Sequence, residues 1–277
     1  MAETNPYGVT TPKRMRTHHI QQMKDAGQKI TMLTSYDMLT AQIFNEAGIH
    51  MLLVGDSAAN NVYGHDTTLP VTVDEMIPLV RAVSMHSTFS LVVADLPFGS
   101  YQVSTEQAVE TSIRMMKEAG AHAVKLEGGV EYADRIKAIV QAGIPVVAHI
   151  GFTPQSEHTL GGYRVQGRGS AQEKLLEDAL AVQEAGAFAV VLEMIPTPAA
   201  KEVTEKLAIP TIGIGAGNVT DGQVLVWQDM MGLRTGRLPR FVKVYANLHD
   251  EMLKATREYK TEVESQEFPD AEHSFEE

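Results

Sequence analysis

Six ionisable residues stand at the polar ends of short apolar runs. Asp56 follows Met51-Leu52-Leu53-Val54-Gly55, and Asp95 closes Ser90-Leu91-Val92-Val93-Ala94. Lys125 and Glu127 fall in Ala123-Val124-Lys125-Leu126-Glu127, His149 follows Pro145-Val146-Val147-Ala148, and Glu193 follows Ala189-Val190-Val191-Leu192. Charge at the end of an apolar strand is costly unless water, a metal ion or an opposite charge receives it. A single Asp there is equally a cap for the next helix, but Glu caps poorly, so Glu127 and Glu193 need another role. Carboxylates arriving from separate strands suit a hard divalent cation. Oxygen ligands without thiolates favour Mg²⁺, which keeps several waters and leaves positions open for a chelating substrate. Lys125 and Glu127 are two apart and share a face, so Lys125 either meets a substrate carboxylate or neutralises Glu127. His149 is either a ligand or a satisfied structural imidazole.

These residues need elements to position them, and one pattern recurs ahead of four of the runs. Ala47-Gly48, Ala119-Gly120, Ala142-Gly143 and Ala185-Gly186 each separate a helix-compatible stretch from the apolar run that follows. Glycine suits the left-handed position just past a helix end, and a short β-branched run reads as a strand buried on both faces. Further candidate strands are Lys29 to Thr34, Ser90 to Asp95, Pro210 to Gly215 and Gln223 to Trp227. Strand and helix in alternation predict a parallel sheet, and eight strands in a chain of this size fit a closed (β/α)₈ barrel better than an open sheet. No linker divides the chain, so one domain over 1–277 is expected, with the barrel at about 29–240 and a helix and tail at about 241–277. Within the latter, Phe241 to Val263 has helical spacing. Residues 151–170 are long and glycine-rich, as a mobile loop over a site would be. Gly213-Ile214-Gly215-Ala216-Gly217 reads as a tight turn rather than a phosphate loop.

Composition narrows the function classes. The chain has 277 residues, 44% hydrophobic and 21% charged, with a net charge of −12. Such acidity repels phosphate backbones, so nucleic acid is not an expected partner. There is no cysteine, which excludes disulfides, thiolate nucleophiles and zinc–thiolate sites. No apolar run approaches the roughly 18 residues of a membrane span. Met1 to His19 lacks the apolar core of a signal peptide, so a cytoplasmic protein is expected. The acids between Glu262 and Glu277 read on composition as a solvated tail.

Longer stretches carry a resemblance. V-G-D-S at 54–57, G-H-D-T-T-L-P-V-T at 64–72, A-D-L-P-F-G-S-Y at 94–101 and V-K-L-E-G-G at 124–129 resemble ketopantoate hydroxymethyltransferases. So do H-I-G-F-T-P-Q-S at 149–156, G-G-Y-R-V-Q-G-R at 161–168, V-L-E at 191–193 and I-P-T-I-G-I-G-A-G at 209–217. D-G-Q-V-L-V at 221–226 and F-P-D-A-E-H-S-F at 268–275 complete the series, which makes the acidic tail partly ordered.

The resemblance implies a (β/α)₈ TIM barrel of the phosphoenolpyruvate/2-oxo acid type with an extra C-terminal helix, assembled as a homo-oligomer, a decamer. It implies conversion of 3-methyl-2-oxobutanoate and 5,10-methylenetetrahydrofolate to 2-dehydropantoate, in pantothenate and coenzyme A synthesis, through Mg²⁺-assisted enolate formation. By position, Asp56, Asp95 and Glu127 match the family's metal residues. Asp56, Ser57, Asp95 and Lys125 match its 2-oxo acid contacts, and Glu193 its catalytic base. Two departures are Ser156-Glu157-His158-Thr159, where the family usually has an apolar residue and Asn after the Ser, and Met85-His86-Ser87-Thr88, which lacks the usual Arg-Gly turn. Neither falls on a metal or base position. Arg164 and Arg168 either meet the folate's glutamate tail or are simply solvated. The alternative on the same fold is a Mg²⁺-dependent C–C lyase acting on another 2-oxo acid, which would not need folate.

Overall fold

The computed structural model describes residues 13–275. Eight parallel strands close into a barrel in sequence order, each paired with the next and the eighth with the first. They are β1 (Ile30–Thr34), β2 (Met51–Val54), β3 (Leu91–Asp95), β4 (Ala123–Glu127), β5 (Val146–Gly151), β6 (Ala189–Glu193), β7 (Thr211–Ile214) and β8 (Gly222–Leu225). The helices interleaved with them begin with α1 (Thr17–Asp25), α2 (Met38–Glu46), α3 (Ala58–Asn61), α4 (Val73–His86) and α5 (Thr105–Lys117). They continue with α6 (Ala133–Gln141), α7 (Glu157–Leu160), α8 (Ala171–Glu184) and α9 (Thr197–Lys206). The barrel expected from strand count is the architecture found.

The Ala-Gly pattern works as its chemistry predicts. Gly48, Gly120, Gly143 and Gly186 all have positive φ, from 74° to 98°, and follow α2, α5, α6 and α8. Each lets the chain leave a helix and enter the next strand without the penalty a Cβ would carry.

Alternate residues of the strands fill the interior. Met32, Met51, Leu53, Leu91, Val93, Ala123, Val147, Ala189, Val191, Ile212 and Val224 belong to one buried cluster. Met15, Ile20 and Met23 join it from α1 and the residue stretch before it. That helix therefore plugs the end of the barrel where the strands begin. Asp221 ties the plug to the strands. Its Oδ2 accepts from Lys24 Nζ of α1 at 2.7 Å and from the Thr211 amide and hydroxyl of β7 at 2.9 and 3.1 Å.

Contacts divide the chain into two compact units, one ending at Leu225 and the other starting at Val226. The second holds α10 (Trp227–Met230) and α11 (Leu248–Ser265). The helix expected from Phe241 begins only at Leu248. The stretch before it carries β-branched and aromatic residues, and its backbone is engaged elsewhere: the amides of Tyr245 and Leu248 donate to the carbonyls of Met230 and Met231 at 2.7 and 3.0 Å. After α11 the chain turns, and Phe268 meets Tyr259 edge-on with ring centroids 5.8 Å apart. The described part of the acidic segment is thus locally folded, and its last two residues, 276–277, lie outside the described residues. The loop expected at 151–170 is also partly regular, with a 3₁₀ turn at Pro154–Ser156 followed by α7.

Replacing Asp221 with Ala should leave the Thr211 amide and Lys24 without their shared acceptor. Urea denaturation is expected to show a loss of about 2–4 kcal/mol in unfolding free energy, with an unchanged denaturant slope.

Candidate active site

Residues two apart on a strand point the same way. Val93, Ala123, Val147 and Val191 face the barrel interior. Asp95, Lys125, Glu127, His149 and Glu193 lie two or four positions further along β3 to β6, so they face inward as well, at the strands' C-terminal ends. Register then sets their neighbours: Asp95 lies beside Lys125, Glu127 beside His149, and Glu193 beside Gly151. All but Glu193 are buried, and its side chain is 14% exposed, which leaves the carboxylate within reach of the barrel mouth.

The side chains form a continuous polar network. Lys125 Nζ lies 2.8 Å from Asp95 Oδ1, and Asp95 Oδ2 accepts from the Asp56 amide at 3.1 Å. His149 bridges two carboxylates, with Nδ1 3.4 Å from Glu127 Oε1 and Nε2 3.2 Å from Glu193 Oε2. Lys125 Nζ is also 3.3 Å from His149 Nδ1. Ser57 sits beside Asp56 and shares a 2.8 Å hydrogen bond with the Tyr36 hydroxyl. Asp56, Ser57, Asp95, Lys125, Glu127 and Glu193, all singled out from sequence, therefore gather at one mouth.

Two participants, Gln155 and Tyr101, lie within motifs of the resemblance but were given no role from sequence. Gln155 donates from Nε2 to Asp56 Oδ2 at 2.9 Å and to the Leu96 carbonyl at 3.0 Å, while its amide donates to Glu127 Oε2 at 2.9 Å. Its Oε1 accepts from the Tyr101 hydroxyl at 2.6 Å. That hydroxyl accepts in turn from the Glu127 amide at 3.2 Å. A glutamine in a loop looks solvated on paper; only the 3₁₀ turn at Pro154 carries it inward. His149 also has a firmer place than its isolation in sequence implied, since it is the link between the Glu127 and Glu193 carboxylates. Arg164 and Arg168 are both exposed.

The electrostatics are unbalanced. Four carboxylates (Asp56, Asp95, Glu127 and Glu193) face one lysine and one imidazole. Burial pushes the Asp95 carboxyl up to about 8 against the pull of Lys125, with Asp56 and Glu127 adding to the rise. Burial also raises Glu127, opposed by His149 and Lys125. For Lys125 burial alone would favour the neutral amine, but Asp95, Glu127 and Asp56 outweigh it and hold the ammonium. Burial and Lys125 likewise oppose a charged His149, yet Glu127 and Glu193 raise it to about 9. The excess negative charge calls for protons or a cation. Among the described residues, no three His, Asp or Glu side chains form a ready-made metal cage. Mg²⁺ requires none, because it commonly takes one or two protein carboxylates and completes its shell with water and substrate oxygens. Three hard, buried carboxylates match that demand.

Backbone geometry holds Glu193. Its carbonyl accepts from the Phe152 amide at 2.8 Å, and a Cβ at Gly151 would lie 2.4 Å from that same oxygen. Met194, next in the chain, has φ +48°, a conformation that side chains seldom adopt. It is pinned there by its amide on the Ile214 carbonyl at 2.8 Å and by the Gln166 amide on its own carbonyl at 2.9 Å.

Comparison with known proteins meets this geometry. The family model described as ketopantoate hydroxymethyltransferase matches residues 14–271. A 3-methyl-2-oxobutanoate hydroxymethyltransferase of Nocardioides sp. is 61% identical over 99% of this chain and 93% of its own length. The protein of the same name from Corynebacterium glutamicum is 60% identical over 95% of this chain and 98% of its own. Among solved structures, a phosphonopyruvate hydrolase complexed with oxalate and Mg²⁺ superposes with a TM-score of 0.60 at 12% identity, covering 94% of this chain and 93% of its own. A 2,3-dimethylmalate lyase of the phosphoenolpyruvate mutase/isocitrate lyase superfamily gives 0.56 at 18% identity, covering 95% and 93%. At such identities these structures share the fold.

His149 offers a direct check on the network. Without divalent cations, its ring signals in a histidine-labelled NMR titration should shift near pH 9 rather than 6.5. Because the folded value lies above the unfolded one, its contribution to stability is complete below about pH 6.5 and lost as pH rises through about 9. Glu193→Gln should move the midpoint down. A wild-type midpoint at or below 6.5 would contradict the bridge.

Proposed function

The chain belongs to the ketopantoate hydroxymethyltransferase family, and we propose that it converts 3-methyl-2-oxobutanoate to 2-dehydropantoate with 5,10-methylenetetrahydrofolate as one-carbon donor and Mg²⁺ as cofactor. The observation that carries this reading is the convergence of Asp56, Asp95 and Glu127 beside Lys125, with Glu193 at the rim of the same mouth. Asp56, Asp95 and Glu127 are the residues that would hold the ion. When bound, Mg²⁺ supplies Lewis acidity at the substrate's keto oxygen and offsets the carboxylate charge.

The chain's own groups account for the remaining chemistry. Lys125 is held as an ammonium and presents a positive charge to a substrate carboxylate, while Ser57 offers a hydroxyl beside Asp56. Glu193 is the general base for the C3 proton: one of its oxygens is held by His149, and its exposure leaves it able to approach substrate. The hydrogen-bonded His149 also fixes the carboxylate's orientation, which counts because proton transfer requires contact distance. Loss of the proton leaves an enolate, whose C3 forms the new bond to the folate-borne methylene carbon. Water supplies the hydroxyl oxygen and tetrahydrofolate departs. The Lys125 ammonium gives the carboxylate of a 2-oxo acid a local partner in a mouth that otherwise carries excess negative charge.

We further propose that the protein works in the cytoplasm as a homo-oligomer, a decamer. No helix among the described residues is long and apolar enough to cross a membrane.

Incubation with 3-methyl-2-oxobutanoate, methylenetetrahydrofolate and Mg²⁺ should yield 2-dehydropantoate, and omission of the folate should abolish it. Product absent from the complete mixture would sink the assignment. Glu193→Gln should bind the oxo acid and Mg²⁺ as before, yet exchange the C3 proton with deuterated water about 10²–10⁴-fold more slowly. Asp95→Ala should weaken oxo acid binding only when Mg²⁺ is present; equal weakening without metal would remove Asp95 from the ion's shell.

A further inference from the structure

At the opposite end of the barrel lies a half-open cavity of about 460 Å³. It opens where strands begin: Leu91 starts β3, His122 precedes β4 and Pro145 precedes β5. Its polar lining is Arg14, Arg16, Thr17, His18 and His122, and among the described residues that line it none is acidic. In a chain with 35 acidic and 23 basic residues, such a cavity is a local reversal of sign. The first turn of α1 carries no acidic residue, although its His19 amide already donates to the Arg16 carbonyl at 3.0 Å.

Hydrogen-bond chemistry sharpens the point. His122 Nδ1 accepts from the Val92 amide at 2.9 Å, so in the neutral ring the proton sits on Nε2. Burial, then Arg14 and Arg16, lower this histidine to about 4, which keeps it neutral. Arg14 Nη2 lies against that same Nε2. A guanidinium has donors only, so two N–H groups meet at one corner and neither can accept from the other. An anionic oxygen satisfies both. Beside this corner, Met15, Leu91 and Met116 form an apolar floor, and the volume exceeds that of a bare phosphate.

We propose that this cavity is a binding site for a small phosphate monoester. The phosphate accepts from Arg14 and from the His122 Nε2–H near the start of α1, and a compact apolar body rests on the floor. Arg16 contributes charge from the same rim. The site shares strands β3, β4 and β5 with the active site but none of its side chains.

Isothermal titration of the full chain with inorganic phosphate, and separately with phenyl phosphate, tests this at low ionic strength without divalent cations. One equivalent should bind per chain, with phenyl phosphate tighter because the floor takes its ring. Arg14→Gln should weaken both about tenfold or more, as loss of a charge-assisted hydrogen bond does, and His122→Asn should weaken them less. Circular dichroism checks that each variant is folded. Lys201→Gln, which removes an exposed cation on α9, should change nothing, and saturating 3-methyl-2-oxobutanoate should not compete. No binding, full affinity in Arg14→Gln, equal loss in Lys201→Gln, or displacement by the oxo acid would each overturn the proposal.

Discussion

Burying carboxylates at the inward ends of neighbouring strands is the constraint to which the rest of the site answers. Three of them stand at the ends of β3, β4 and β6, strands that apart from Lys125 are otherwise apolar, and Asp56 follows β2. Closure of the sheet turns these ends toward one point, so their repulsion is unavoidable. Lys125 and His149, on β4 and β5, sit between them at distances of 2.8 to 3.4 Å and cancel part of the charge. What they leave uncancelled is the affinity of the mouth for a further cation. A buried ion pair of this kind adds little to net stability, but removing one partner strands the other, so the lysine and the acids are bound to one another's fate.

Much of this was legible in the sequence because it follows from periodicity. Two-residue spacing along a strand sets which side chains share a face, so Lys125 and Glu127 were legible as facing the same way, although runs apolar on both faces do not say which face is the inner one. The Ala-Gly pattern was legible for the same reason: a helix end has one conformational demand, and glycine meets it. Register was not legible, since nothing local states which residue of β4 lies beside Asp95. Nor was Gln155. Its inward position results from a turn in a segment whose glycines suggested mobility, and an uncharged amide does not stand out as a charge does at the end of an apolar run. The delayed start of α11 has a similar cause. Its spacing was compatible with helix from Phe241, but hydrogen bonds to the turn after α10 hold that stretch out of the helix.

The two ends of the barrel illustrate different uses of one scaffold. At the C-terminal end the side chains are mostly buried, mutually paired and short of positive charge. At the other, α1 closes the interior with Ile20 and Met23, while the segment leading into it leaves cationic groups around a hollow. The apolar layers between the ends keep the two fields apart, since no polar chain of contacts runs along the inner face of β3, β4 or β5.

Gln155 has a property that its charged neighbours lack. It touches Asp56, Glu127 and Tyr101, yet it has no proton to gain or lose at any ordinary acidity. As carboxylates and imidazole around it trade protons through a catalytic cycle, this amide keeps the same donors and the same acceptor pointed in the same directions. The spacing between the acids is thereby uncoupled from their ionisation, like a ruler that does not swell when wet.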